Sequence, residues 1–287
     1  MKEKGLLVTG YFITLFLLLF CLFPPVGAQE LSPQKTIVAT PKIVGGYEAT
    51  PGDWPWMSAL VYRGSDSYSG QFCGGALIAS QWVVTAAHCV KDLRPWEIEV
   101  VINRHDLTSS NGERIAVTRI IQHSNYNPKT MDSDIALLML ASPSNQSTLA
   151  LLPARDPDGL ATPLTMATIL GWGDISPGYG IYPEVLMETT IPILSGQIAR
   201  RIYGYSFTVN MLAAGPKDGK EDSCYGDSGG PLVVPNAEDS DYVLAGITSW
   251  GYDCAQPLSP GLYTRVERFS SWIDLVVNSL SLGIGIQ

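Results

Sequence analysis

The stretch Cys224-Tyr225-Gly226-Asp227-Ser228-Gly229-Gly230-Pro231 sets one hydroxyl among glycines. Glycine reaches backbone angles that strain other residues, so such a run can build a tight turn that presents Ser228 outward. A serine hydroxyl is a weak nucleophile, and its presentation matters chemically only where a base reaches it from elsewhere in the chain. Alone, Gly-Asp-Ser-Gly reads as an ordinary turn.

Thr85-Ala86-Ala87-His88-Cys89 offers the base, and Asp132-Ser133-Asp134-Ile135-Ala136-Leu137-Leu138 offers a carboxylate to orient it. His, Asp, Ser is one of several chain orders that give the same nucleophile, base and acid arrangement. With Ile43-Val44-Gly45-Gly46, Cys73-Gly74-Gly75-Ala76-Leu77-Ile78 and Ser249-Trp250-Gly251, the chain resembles the trypsin/chymotrypsin family of serine endopeptidases, trypsin-like branch, from Ile43 to about Ser279. That family's triad is itself the general template for this chemistry.

The resemblance implies a role for each matching residue. Ser228 is the nucleophile, His88 the general base and then acid, and Asp134 the orienting carboxylate; the N–H groups of Gly226 and Ser228 form the oxyanion hole. Asp132 is the nearby competitor of Asp134, and the alignment of Ile135-Ala136-Leu137-Leu138 favours Asp134. Asp222, six residues before Ser228, falls at the base of the primary specificity pocket, with Ser223 beside it and Gly251 and Gly261 as its walls. A fixed carboxylate there favours a cationic side chain, hence cleavage after Arg or Lys. Ser249, Trp250 and Gly251 would pair with the extended substrate, while Met131, Tyr225 and Tyr252 would border it. Cleavage between Lys42 and Ile43 would free an ammonium group to pair with Asp227, and the basic Lys42 makes this bond a candidate for self-processing. Four cysteines outside the leader allow three pairings by count alone; the resemblance implies Cys73 with Cys89 and Cys224 with Cys254.

Three positions depart from the family pattern. Ala213 stands where a cysteine is usual, and its partner is missing too. Asp253 replaces a common glycine. Some relatives bind calcium in the loop that resembles Asn103–Arg114, where Glu113 could be one oxygen ligand; Arg104 lies near the place where an acidic ligand would be expected, so no metal is expected. No other metal-ligand spacing and no cofactor motif occurs.

The 287 residues carry 18 Lys+Arg against 27 Asp+Glu, a net charge of -9, which argues against nucleic-acid binding. Lys2 and Lys4 precede an apolar run from Leu6 to Phe23 and the small residues Val26-Gly27-Ala28, so 1–28 reads as a secretory signal peptide, with an uncleaved membrane anchor as the alternative. Residues 29–42 read as an activation propeptide and 43–287 as the protease domain. The product is expected to be a monomer without a stable membrane anchor, extracellular or periplasmic according to the source cell. Its expected partners are protein or peptide substrates and protein protease inhibitors. Asn145-Gln146-Ser147 has the acceptor pattern for an N-linked glycan.

Short apolar, β-branched segments separated by turn residues give an all-β class: Ala76–Ile78, Trp82–Thr85, Ile98–Ile102, Arg114–Ile121, Ile135–Leu140, Met166–Trp172, Val185–Pro192, Pro231–Val234 and Tyr242–Trp250. A polar connection near 142–163 divides two halves. The resemblance implies two packed six-stranded antiparallel barrels with the cleft between them. Phe269, Trp272, Ile273, Val276 and Leu280 recur at helical spacing and predict a C-terminal helix over Glu267–Leu280. A catalytically silent binding protein of the same fold is the competing functional class.

Overall fold

The computed structural model describes residues 45–236 and 241–281. The leader, the propeptide, Lys42 and Ile43 lie outside the described residues. Among the described residues no helix is long and apolar enough to cross a membrane.

The chain enters through a two-residue strand, β1 (Tyr47–Glu48), and then winds the first barrel. Its strands are β2 (Met57–Tyr62), β3 (Gln71–Ala79), β4 (Trp82–Thr85), β5 (Ile98–Ile102), β6 (Glu113–Gln122) and β7 (Ala136–Leu140). They close in the order β2-β3-β4-β7-β6-β5, every pair antiparallel. A single-turn helix, α1 (Ser67–Gly70), joins β2 to β3, and another, α2 (Ala87–Val90), follows β4. Met57, Leu60, Leu77, Ile98, Ile102, Leu137 and Leu138 of these strands are all fully buried, on one barrel face or the other. Closure leaves no open edge, and each strand contributes only four to ten residues to it.

The second half has eight strands with β1 counted in. They are β8 (Ala150–Leu151), β9 (Met166–Gly171), β10 (Met187–Pro192), β11 (Met211–Ala214), β12 (Pro231–Pro235), β13 (Tyr242–Trp250) and β14 (Gly261–Arg265). Their order is β1-β10-β9-β12-β13-β14-β11, with β8 parallel to β13.

This corrects the expectation of two six-stranded barrels: one half closes, whereas the other is an eight-stranded sheet that does not. Among the described residues its last strand, β11, meets the segment that follows β10 at an isolated bridge between Ala214 and Ile193. Two hydrogen bonds hold that bridge, Leu194 N–H to the Ala213 carbonyl (2.8 Å) and Gly215 N–H to the Pro192 carbonyl (3.0 Å). Pro192 has no N–H to extend the ladder past that point.

Helix α3 (Gly196–Tyr203) bridges β10 and β11, and α4 (Ser270–Ser281) closes the chain. Ile273 and Val276 of α4 are buried in the larger hydrophobic cluster, beside Phe269. His123, at the end of β6, meets the rings of Phe269 and Trp272 edge-on at 5.0 and 4.9 Å.

Candidate active site

Asp134 sits at the entrance to β7, fully buried, and its carboxylate has three donors. The His88 backbone N–H reaches Oδ1 at 2.8 Å, while His88 Nδ1 and the Ser249 hydroxyl reach Oδ2 at 2.7 and 2.6 Å. Its backbone carbonyl accepts from the Thr264 hydroxyl at 2.6 Å. The carboxylate is therefore fixed by residues of both halves of the molecule. A carboxylate only accepts, so the His88 nitrogen facing it carries hydrogen, and in a neutral ring Nε2 keeps its lone pair. Asp132 faces elsewhere and takes hydrogen bonds from Thr208 and Asn210.

The Ser228 turn is held by its backbone. Asp227 N–H donates to the Cys224 carbonyl and Gly230 N–H to the Asp227 carbonyl, both at 2.9 Å. Gly226 has φ +100°, and an added Cβ would lie 3.0 Å from the Gly173 Cα, so both the angle and the space call for glycine. The Ser228 carbonyl accepts from Gly74 N–H at 2.7 Å, and a Cβ on Gly74 would come within 2.9 Å of the Gly230 Cα. Gly74 thus lets β3 of the barrel lie directly against the turn.

That contact continues to His88. Cys73, next to Gly74, forms a disulfide with Cys89, next to His88, and a second disulfide joins Cys224 to Cys254. Among the described residues no hydrogen bond joins the Ser228 hydroxyl to the His88 ring, and the N–H groups of Gly226 and Ser228 find no protein acceptor.

A cleft of about 220 Å³ opens beside Ser228 and is lined by Asp222, Ser223, Ser249, Trp250, Gly251, Asp253 and Gly261. Asp222 is buried, with Oδ1 accepting from Ser223 N–H (2.9 Å) and Oδ2 from Ala255 N–H (3.0 Å). No cation faces it among the described residues, and burial pushes its carboxyl up to about 7. A Cβ on Gly261 would stand 3.1 Å from Asp222 Oδ1, so any larger residue there would cover the carboxylate. The Ser223 hydroxyl lies 3.2 Å from the Tyr263 hydroxyl.

The family model for Trypsin matches residues 43–273. The chain belongs to the trypsin family. It is 38% identical to Trypsin-3 of Salmo salar, covering 83% of this chain and 94% of that protein. It is 39% identical to Trypsin of Sus scrofa, covering 82% of this chain and 96% of that protein. It is also 38% identical to Transmembrane protease serine 9 of Rattus norvegicus, but there the match to 83% of this chain spans only 22% of the relative.

In this trypsin-family chain Asp227 is buried, and its Oδ1 and Oδ2 accept from Gly173 N–H (2.7 Å) and Cys224 N–H (2.9 Å). Burial pushes its carboxyl up to about 7 against the pull of those two donors. The loop where some relatives hold calcium is arranged around Arg104. Its guanidinium is buried and donates to the Asn111 carbonyl and, at 2.7 Å, to the Ser67 hydroxyl, while Glu113 accepts from Asn145 N–H (3.1 Å) and the Gln146 amide (3.0 Å). Cys73, His88 and Cys89 also cluster, yet a disulfide offers no thiolate and His88 Nδ1 is engaged by Asp134. Met131 has φ +58°, and its sulfur accepts from the Tyr126 hydroxyl at 3.7 Å.

Three contributions escape sequence reading. Gln71 of β3 donates its side-chain amide to the Gly226 carbonyl at 2.8 Å and so fixes the peptide next to the proposed oxyanion hole. Thr264 of β14 holds the Asp134 backbone, and Ser249, read only as part of the substrate-pairing edge, also holds the Asp134 carboxylate. These partners lie 155, 130 and 115 residues apart, beyond the reach of any local pattern.

Proposed function

We propose that the chain is a secreted serine endopeptidase that cuts peptide bonds after Arg or Lys, with the leader 1–28 removed and the 29–42 segment released by cleavage between Lys42 and Ile43. The single observation that carries this reading is the buried, cation-free Asp222 at the bottom of a cleft that also contains Ser228. A carboxylate kept from water without a partner is costly, and an arginine or lysine terminus from a substrate supplies the missing charge.

With that side chain seated, Ser228 Oγ attacks the scissile carbonyl carbon as its proton passes to His88 Nε2. Asp134, fixed by Ser249 and the His88 backbone, stabilises the imidazolium that forms. The free N–H groups of Gly226 and Ser228 receive the oxyanion; one such donor is worth roughly 3 to 4 kcal/mol. The intermediate collapses as His88 gives the proton to the leaving amine, and water activated by the same base frees the acyl group.

Asp227 supports the activation step. It is a second buried carboxylate without a cation among the described residues, and the ammonium freed at Ile43 would complete it. Lys42 is itself a residue this pocket would accept, so the chain is a candidate for processing itself.

The second reading, a silent binding protein, is favoured by the absent Ser228–His88 hydrogen bond, although such contacts often form only once substrate is bound. Turnover separates the two. The chain cleaved at Lys42 is profiled against a peptide library, with Ser228→Ala as control. Cleavage confined to sites after Arg and Lys is expected, and Asp222→Ser should lower kcat/KM on those sites by about 10²-fold or more. Cleavage after apolar or acidic residues, indifferent to Asp222, would contradict the pocket assignment; no cleavage at all would favour the silent protein.

A further inference from the structure

In a chain of net charge -9, four arginines meet on one face: Arg200 and Arg201 from the last turn of α3, and Arg265 and Arg268 from the end of β14 and the 3-10 turn after it. Arg265 is neutralised locally, its Nη1 lying 3.4 Å from Glu267, with its Nε donating to the Met211 carbonyl. Arg200, Arg201 and Arg268 are exposed and make no ion pair among the described residues. Isolated arginines on a surface are commonly just solvated. Arg200 and Arg268, together with Arg265, instead rim a concavity of about 280 Å³ whose apolar lining comes from Phe207, Val209 and Met211, with Val209 62% exposed. Gly196 and Arg200 also line a second, more open depression that includes Arg201, so the two hollows adjoin along one basic groove.

Two side-chain contacts link the elements of the groove to those of the proposed substrate site. Tyr203, which ends α3, packs its ring against Trp250 at 5.3 Å and Tyr252 at 4.7 Å, on the edge assigned to the substrate. Thr208 and Asn210, the first of them in the groove itself, bind Asp132, two residues before Asp134.

We propose that this groove is an exosite for an acidic peptide segment carrying an apolar side chain, located in protein substrates outside the residues that enter the cleft. The placement relative to the cut rests on the endopeptidase reading; binding itself does not. Guanidinium groups supply the charge match and forked hydrogen bonds for carboxylates, while Phe207 and Val209 take the apolar side chain. The apolar wall favours a peptide over a sulfated polysaccharide, which has nothing to bury there.

The test measures binding of a fluorescein-labelled short peptide, rich in Asp and Glu with one Phe and free of Arg and Lys, to the full chain by anisotropy, without need of activation. Binding that weakens with added salt, falls about tenfold or more in the Arg200→Glu, Arg201→Glu, Arg268→Glu variant, and falls again when the peptide's Phe is replaced by Ser supports the exosite. Unchanged thermal melting of the variant shows that its fold is kept. In the activated enzyme, the ratio of kcat/KM for an Arg peptide extended by the acidic segment to that for the unextended peptide should exceed one and drop to one in the variant. Equal affinity of wild type and variant would overturn the proposal. So would binding of a heparin oligosaccharide by these arginines with none of the acidic peptide, which would assign the face to a polysaccharide.

Discussion

Asp222 and Asp227 are neighbours in sequence with the same physical problem, a carboxylate removed from water with two backbone N–H donors each and no cation among the described residues. Burial pushes each of them up to about 7. A raised folded-state value means that ionisation opposes folding: the penalty is fully present above about pH 7 and is relieved as pH falls toward the ordinary carboxylate value of about 4. Cation binding runs the other way, since only the ionised Asp222 attracts an amidine or guanidine. Affinity for benzamidine, followed by calorimetry, should be level above about pH 7 and weaken about tenfold per unit below it, with proton release on binding. Asp222→Asn should bind weakly and without that pH dependence; wild-type affinity constant down to about pH 5 would refute it. At this scale the sequence was legible in its candidates, where chemistry needs particular residue types: His88, Asp134, Ser228 and Asp222 could be named as candidates from motif and resemblance. Gln71 and Thr264 could not, because each acts by a hydrogen bond to backbone remote in the chain, and such bonds leave no mark on either segment.

Among the elements, the strands Trp82–Thr85, Ile98–Ile102 and Tyr242–Trp250 fall where alternation and β-branching place them. The C-terminal helix begins at Ser270, three residues later than its apolar spacing suggests, because Val266–Arg268 tightens into a 3-10 turn first. Its buried face should carry its contribution to stability. Ile273→Ala should cost about 2–5 kcal/mol in denaturant unfolding with the disulfides intact, whereas Leu275→Ala, 62% exposed in the wild type, should stay within about 0.5 kcal/mol. Equal effects would mean that α4 is not docked as described. Helix α3 went unread although its punctuation is present: Ser195 accepts from Ile198 N–H as an N-cap, and Gly204 follows the last turn with φ +60°. Only eight residues separate those signals, and the strand texture around them outweighed a pattern of two turns.

For the molecule as a whole, periodicity identifies strands but not closure. Whether a sheet shuts depends on how its outer strands register against one another, and in the second half β11 meets the segment after β10 at the isolated Ile193–Ala214 bridge beside Pro192. The two halves nonetheless meet at the candidate site: β3 lies on the Ser228 turn, the Cys73–Cys89 bridge ties that strand to His88, and Ser249 of the sheet reaches Asp134 of the barrel. The central claim is that these contacts make Ser228 a nucleophile. It is tested most directly by mass spectrometry of the Lys42-cleaved chain after exposure to an arginine-like diphenyl phosphonate. The account expects one covalent adduct on Ser228 in the wild type and none in His88→Ala; a folded, cleaved wild-type chain that stays unlabelled, or is labelled elsewhere, would contradict it.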